Sequence, residues 1–131
     1  MKYLGIDYGA KRVGLAISDS DGKIAFPRAE IANDDHLFKF ITRMAEEGKV
    51  EKIIIGDTRT WEGGANTVTP ELEKFVGELA KATQIESEYA REAGSSIEAS
   101  RYAEKGNEHN NAAAAALILQ RYLDMRTPAI D

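Results

Sequence analysis

The sequence predicts an α/β domain built on one mixed five-stranded sheet. Three observations carry that expectation. Short apolar runs joined by tight polar turns open the chain, helix-period stretches then alternate with strand-like runs, and an alanine-rich helical segment closes it. An opening meander is antiparallel, whereas strands that alternate with helices return parallel to the first. The predicted order is strand, strand, strand, helix, strand, helix, strand, helix, helix, with residues 1–126 as a single domain and 127–131 as a short tail.

Each element has its own signal. Lys2 to Ile6 alternates into an apolar run that stops at Asp7, and Tyr8-Gly9-Ala10-Lys11-Arg12 follows as a polar, glycine-containing turn. Val13 to Ile17 is a second run, closed by Ser18-Asp19-Ser20-Asp21-Gly22, whose Asp-Gly pair is a strong hairpin signal. Ile24 to Ile31 is a third, and Pro27 assigns it to a sheet edge because proline cannot donate to a ladder. Leu37, Phe40, Ile41, Met44 and Ala45 then fall at helical spacing, with Asn33 to Asp35 as cap candidates and Gly48 as terminator. Ile53-Ile54-Ile55 suits a strand covered on both faces. Asp57 to Val68, with Trp61 and Gly63-Gly64, reads as a loop.

The second half repeats the alternation. Pro70 stands at the first position of a helix whose apolar stripe is Leu72, Phe75, Val76, Leu79 and Ala80. Ile85, Ser87 and Tyr89 alternate with Glu86 and Glu88 in a strand leading to Glu92, and Gly94 breaks it. Ser95 and Glu98 have the spacing of a capping box for a short helix. The last helix runs from about Asn111 through Leu123.

Composition narrows the chemistry. The 131 residues carry 17 Lys and Arg against 22 Asp and Glu, a net charge of −5, with two His and no Cys. Without Cys there is no disulfide framework, thiolate zinc site or cysteine nucleophile, so a metal must sit on oxygen or on His36 and His109. No apolar run approaches the length of a membrane span and the N-terminus lacks a signal-peptide pattern, so the chain is expected to be soluble and cytoplasmic, with no membrane partner. The acidic total speaks against nucleic acid, but it is unevenly spread. Residues 1–28 hold Lys2, Lys11, Arg12, Lys23 and Arg28 against Asp7, Asp19 and Asp21, a local balance of +2, and the rest of the chain carries −7.

Sites in parallel sheets gather at the carboxyl ends of the strands. Asp7, Asp57 and Glu92 all lie at or just beyond such ends. Converging carboxylates repel unless a divalent cation or a shared proton compensates, and hard oxygen ligands select Mg²⁺ or Mn²⁺. Two such ions about 4 Å apart can activate water and stabilise the leaving oxygen of a phosphodiester. The plainer readings are that Asp7 caps the following turn, Asp57 starts a loop and Glu92 is a solvated carboxylate. Lys11 in the glycine turn could approach a phosphate, although hairpins carry Gly and Lys for no such reason.

Lys2 to Asp19, KYLGIDYGAKRVGLAISD, resembles the opening motif of the YqgF family, also called RuvX, which comprises proposed pre-16S rRNA nucleases and Holliday-junction-resolvase-like proteins. Ala112 to Asp124, AAAAALILQRYLD, resembles that family's final helix, and the resemblance covers essentially the whole chain. It implies an RNase H-like fold, a metal-dependent nuclease activity with Mg²⁺ or Mn²⁺, and structured RNA such as the 5′ side of pre-16S rRNA, or branched DNA, as partner. A homodimer is compatible with it.

Carried over by position, the family's first catalytic aspartate falls on Asp7. Its second carboxylate falls on Glu92, within Arg91-Glu92-Ala93 where the family usually has Asp-Glu-Arg, and the hydroxyl pair that follows falls on Ser95 and Ser96. The third acid falls on Asn111, nine residues ahead of Gln120. An Asn carbonyl can touch a cation, but it brings no charge and cannot act as a base. Asn111 is equally suited to cap the last helix. Glu108, Asp57 or His109 are candidates to restore the missing charge. Three readings follow: a nuclease with Asp7 and Glu92 as metal ligands, Asn111 at the third site and Lys11, Arg12, Ser95 and Ser96 on phosphates; a binding module that has lost the chemistry through Asn111; and, last, an actin-like phosphate-binding ATPase, which would need a second lobe.

Overall fold

The computed structural model describes residues 1–9, 11–56, 70–90 and 111–126, with Asn111 and Arg126 described in their backbone alone. The first three strands are β1 (Tyr3–Asp7), β2 (Arg12–Ser18) and β3 (Ala25–Ala32). They are followed by α1 (Leu37–Glu47), β4 (Lys52–Gly56), α2 (Pro70–Thr83), β5 (Glu86–Tyr89) and α3 (Asn111–Arg126). The sheet has the order β3-β2-β1-β4-β5. β1, β2 and β3 pair antiparallel, while β4 and β5 add on parallel to β1. This is the RNase H-like arrangement expected above.

The meander forms because its turns are built for it. Gly22 takes a positive φ of 69° in the β2–β3 turn, a conformation that glycine adopts without steric cost. Asp19 closes the same turn, its Oδ1 accepting the N–H groups of Lys23 and Ile24 at 2.8 and 3.0 Å. Gln120 of α3 then clamps the start of β3: it accepts the Ala25 N–H at 2.9 Å and donates to the Lys23 carbonyl at 2.9 Å. Pro27 lies on the edge strand as expected, beside a register shift at Leu15 and Ala16.

Alternation along the strands sends side chains to two different layers. Leu4 and Ile6, Val13, Leu15 and Ile17, and Ile53 and Ile55 meet Leu37, Ile41 and Ala45 of α1 and Leu72, Phe75 and Leu79 of α2. Tyr3, Ala16 and Ile54 meet Ala115, Ile118, Leu119, Tyr122 and Leu123 of α3. Ile53-Ile54-Ile55 is therefore buried on both faces, as its sequence implies, and each such residue contributes about 1.5–3 kcal/mol of apolar burial.

Some local expectations are corrected. Phe40 is 42% exposed, while Phe38 turns inward and lies 5.4 Å from Phe75 between ring centroids. Both positions flank the Leu37–Ile41–Ala45 stripe, and the neighbouring α2 aromatic decides which one is covered. The residue capping α1 is His36, with no side-chain cap; Asp34 acts one step earlier, its Oδ1 accepting the His36 N–H at 2.9 Å. β5 is short, ending at Tyr89, which is exposed. α3 runs on to Arg126 rather than ending at Leu123. The expected loop at 57–68, the short helix after Ser95 and the tail at 127–131 lie outside the described residues.

Candidate functional site

The segment Gly5-Ile6-Asp7-Tyr8-Gly9 organises one end of the sheet, and each residue type has a reason. Gly5 lies directly beneath α3: a Cβ there would stand 2.7 Å from the Leu119 Cβ and 3.1 Å from the Ala115 carbonyl oxygen. Only a bare Cα lets the helix approach this closely. Ile6 points the other way, into the α1/α2 core. Asp7 returns to the α3 side, and although its side chain is a carboxyl group it is only 4% exposed. Tyr8 continues the ladder by donating its N–H to the Gly56 carbonyl at 2.9 Å and packs its ring 4.6 Å from that of Phe75. At Gly9 a Cβ would meet the Arg12 carbonyl oxygen at 2.5 Å, so the loop can close only with glycine.

Helix α3 delivers its N-terminus to the same end. Ala115 and Leu119 cross Gly5, while Tyr122 lies 5.9 Å from Tyr3 at the start of β1, between ring centroids. The helix thus runs opposite to β1. Asn111, one turn before Ala115, is about 6 Å further along the axis, and Asp7 is about 7 Å beyond Gly5 along the strand. The backbone of Asn111 and the Asp7 carboxylate therefore share a face and an end. The first turn of a helix carries partial positive charge, which favours anionic groups near it.

Across the strands Asp7 belongs to a row on the α3 face. Gly56 of β4 and Gly14 of β2 are its direct neighbours, and Glu30 of β3 follows Gly14. At about 4.8 Å per strand, the Asp7 and Glu30 backbones are about 10 Å apart. Arg12 stands at the rim, its Nε 3.9 Å from Glu30 Oε2, with 61% of its side chain in solvent. A pair so long and so exposed binds weakly, and the guanidinium remains largely hydrated. Lys11 is exposed beside it. Asn33 fastens the loop from β3, donating its Nδ2 to the Gly9 carbonyl at 2.8 Å and its backbone N–H to the Lys11 carbonyl at 2.9 Å.

The sequence-assigned site residues divide accordingly. Asp7, Lys11 and Arg12 lie together at the carboxyl end of β1, and Asn111 opens α3 at that end, its side chain outside the described set. Glu92, Ser95, Ser96, Asp57, Glu108 and His109 are outside the described residues. β4 ends at Gly56 and β5 at Tyr89, both parallel to β1. The basic surplus of residues 1–28 is not one patch: Lys11 and Arg12 are at the Asp7 end, whereas Lys2 and Lys23 are at the other end of the strands. Sequence reasoning passed over Glu30, whose alignment with Gly14 follows from the bulge, and read Asn33 as a helix cap.

A buried carboxylate is a hard oxygen donor of the kind that suits Mg²⁺ or Mn²⁺. Asp7 fits that requirement. Among the described residues no group of three His, Asp or Glu side chains comes together as a metal-holding cluster.

A family model described as RuvX, Holliday junction resolvase, matches residues 1–125. The chain belongs to the RuvX family. A relative from Nitratidesulfovibrio vulgaris (strain DSM 19637 / Miyazaki F) is 35% identical over 142 residues, covering 98% of this chain and 100% of the relative. Another from Trichormus variabilis (strain ATCC 29413 / PCC 7937) is 34% identical over 132 residues, covering 94% and 87%. Both carry the name "Putative pre-16S rRNA nuclease". A solved complex of T. thermophilus RuvC with Holliday junction substrate overlaps far more loosely, at a TM-score of 0.45 and 13% identity over 68% of this chain and 63% of that one. RuvX membership accounts for both terminal motifs at once, since Gly5 and the alanine-rich face of α3 are the two sides of one contact.

Proposed function

We propose that this chain is a metal-dependent endonuclease acting in the cytoplasm on structured RNA, at the 5′ side of pre-16S rRNA, with residues 1–126 as one catalytic unit. The observation that carries the reading is Asp7: a carboxylate withdrawn from water at a strand end, on the face where α3 begins. A carboxylate at the carboxyl end of a strand is a hard oxygen donor of the kind a divalent cation selects, placed where sites in parallel sheets gather. The names of the relatives support the RNA substrate. The family model's own description supports a second reading, a branched DNA junction.

In this reading Asp7 and Glu92 hold Mg²⁺ or Mn²⁺, with the Asn111 carbonyl as a neutral third donor. The bound ion would supply an activated water and neutralise charge on the leaving oxygen. Lys11 and Arg12, exposed beside Asp7, steer and hold backbone phosphates, aided by the hydroxyls of Ser95 and Ser96. With an amide at 111 the donor set has one negative charge fewer, so metal binding is weak and the enzyme works best with millimolar Mn²⁺. Among the described residues no helix is long and apolar enough to cross a membrane.

Purified protein with Mn²⁺ should cut an RNA hairpin with a 5′ single-stranded extension, and Asp7→Asn should lower the rate by roughly 10²–10⁴-fold. Unchanged cleavage by Asp7→Asn would remove the site assignment. Preference for a four-way DNA junction over the RNA would turn the reading to the resolvase. Asn111→Asp should tighten Mn²⁺ binding measured by calorimetry; if neither binding nor cleavage changes, Asn111 is a structural cap.

A further inference from the structure

We propose that Asn33 is a positioning residue for phosphate binding, locking the loop that bears Lys11 by bonding it at two points from the end of β3. The inference rests on the reading of Lys11 and Arg12 as phosphate contacts, and adds to it the residue that prepares them.

Four residues, 8–11, join β1 to β2. Their first is fixed by the sheet, through the Tyr8 N–H on Gly56, and by the Tyr8 ring on Phe75. Gly9 and Lys11 are held from the end of β3. Asn33 is half-buried, its amide nitrogen donating to the Gly9 carbonyl at 2.8 Å and its main-chain N–H to the Lys11 carbonyl at 2.9 Å. One residue thus satisfies two carbonyls of a loop whose interior glycine leaves no room for a side chain against Arg12. The side-chain bond is specific to Asn, because Asp has no amide donor and Ser is too short to reach. Its sequence position, one residue past β3 and one before Asp34, suits a cap, but α1 begins four residues later at Leu37, with His36 and not Asn33 at the cap position.

The physical effect is preorganisation. A loop free to move must be ordered when a phosphate binds, which costs backbone conformational entropy. Held in advance, Lys11 and Arg12 meet the phosphate with that ordering already complete.

Binding can be read without chemistry, by anisotropy of a fluorescein-labelled RNA hairpin with a 5′ extension in EDTA, over a salt series. Asn33→Ala should weaken binding about three- to tenfold, the size expected for losing one hydrogen bond, and should flatten the dependence of log affinity on log salt. In a Lys11→Ala/Arg12→Ala background the same change should cost nothing further, which separates positioning from a general loss of fold. Asn33→Ser gives the same comparison if Asn33→Ala does not fold. Unchanged affinity, an equal loss in both backgrounds, or no RNA binding by the wild type would overturn the proposal. Binding that behaves as expected without Mn²⁺-dependent cleavage would overturn the nuclease reading and leave this one standing.

Discussion

The two faces of the sheet are built from different materials. The α1/α2 face is lined by Leu4, Ile6, Val13, Leu15, Ile17, Ile53 and Ile55 and by large side chains of both helices. The α3 face presents Gly5, Ala16 and Gly56 between Tyr3 and Ile54, and receives an alanine-rich helix. Among the described residues the two buried polar ones, Asp7 and Ser18, are both on the α3 side. Ser18 is fully used there: its Oγ accepts the Tyr3 N–H at 2.8 Å and donates to the Asp19 carbonyl at 2.8 Å. One face is a dry core whose work is stability. The other gives up apolar volume so that a helix N-terminus and a carboxylate can be brought to one place.

Substitutions on the two faces should therefore separate stability from activity. The largest effect on stability belongs to the first face: Ile41→Ala, fully buried on the sheet-facing side of α1, should cost about 2–5 kcal/mol in denaturant titrations. Cleavage per folded molecule should stay near wild type. Gly5→Ala comes next. Its new Cβ would press on Leu119 and the Ala115 carbonyl, an overpacking cost of about 1–3 kcal/mol. It should also lower cleavage, because lifting α3 moves Asn111 away from Asp7; normal activity in Gly5→Ala would break the division between the faces.

Smaller still is Tyr122→Phe. Tyr122 donates its hydroxyl to Glu88 Oε1 at 3.0 Å, and Lys52 Nζ reaches the same oxygen at 2.7 Å. The Glu88 contact raises the Lys52 pKa, so the lysine stays charged across the physiological range. Loss of one neutral-to-charged bond at this partly exposed network should lower stability by about 0.5–1.5 kcal/mol. Activity should hold, since this cluster lies on the α3 face at the opposite end from Asp7.

The smallest change lies on neither face. Backbone donors at Ile24 and Lys23 pull the Asp19 carboxyl below its ordinary 3.8. A depressed folded-state pKa adds stability above pH 3.8 that is lost as pH falls through the lower, folded value. Asp19→Asn keeps an acceptor for both N–H groups but cannot titrate, so its melting temperature should fall less steeply than wild type below pH 4. Equal slopes would shift the acid lability to another carboxylate.

Much of this was legible along the chain. Period-2 and period-3.6 patterns located the described strands and helices, and Pro27 marked the edge strand. Phe38 and Phe40 show where periodicity stops: both flank the same stripe, and only the position of Phe75 on α2 covers one of them. Asp7 could be singled out because it ends an apolar strand. The other polar residues at that end could not, since Glu30 comes into line through a bulge and Asn33 acts across 24 residues on Gly9.

By itself, then, the sequence determined the element order, the buried strand Ile53-Ile54-Ile55 and the candidate residues Asp7, Lys11, Arg12 and Asn111. Local spacing is sufficient for these, because backbone periodicity and turn chemistry act over a few residues. The tertiary structure decided which face carries the candidate site. That choice depends on how closely α3 can approach β1, and the distance is set by Gly5 meeting Ala115 and Leu119 from more than a hundred residues away.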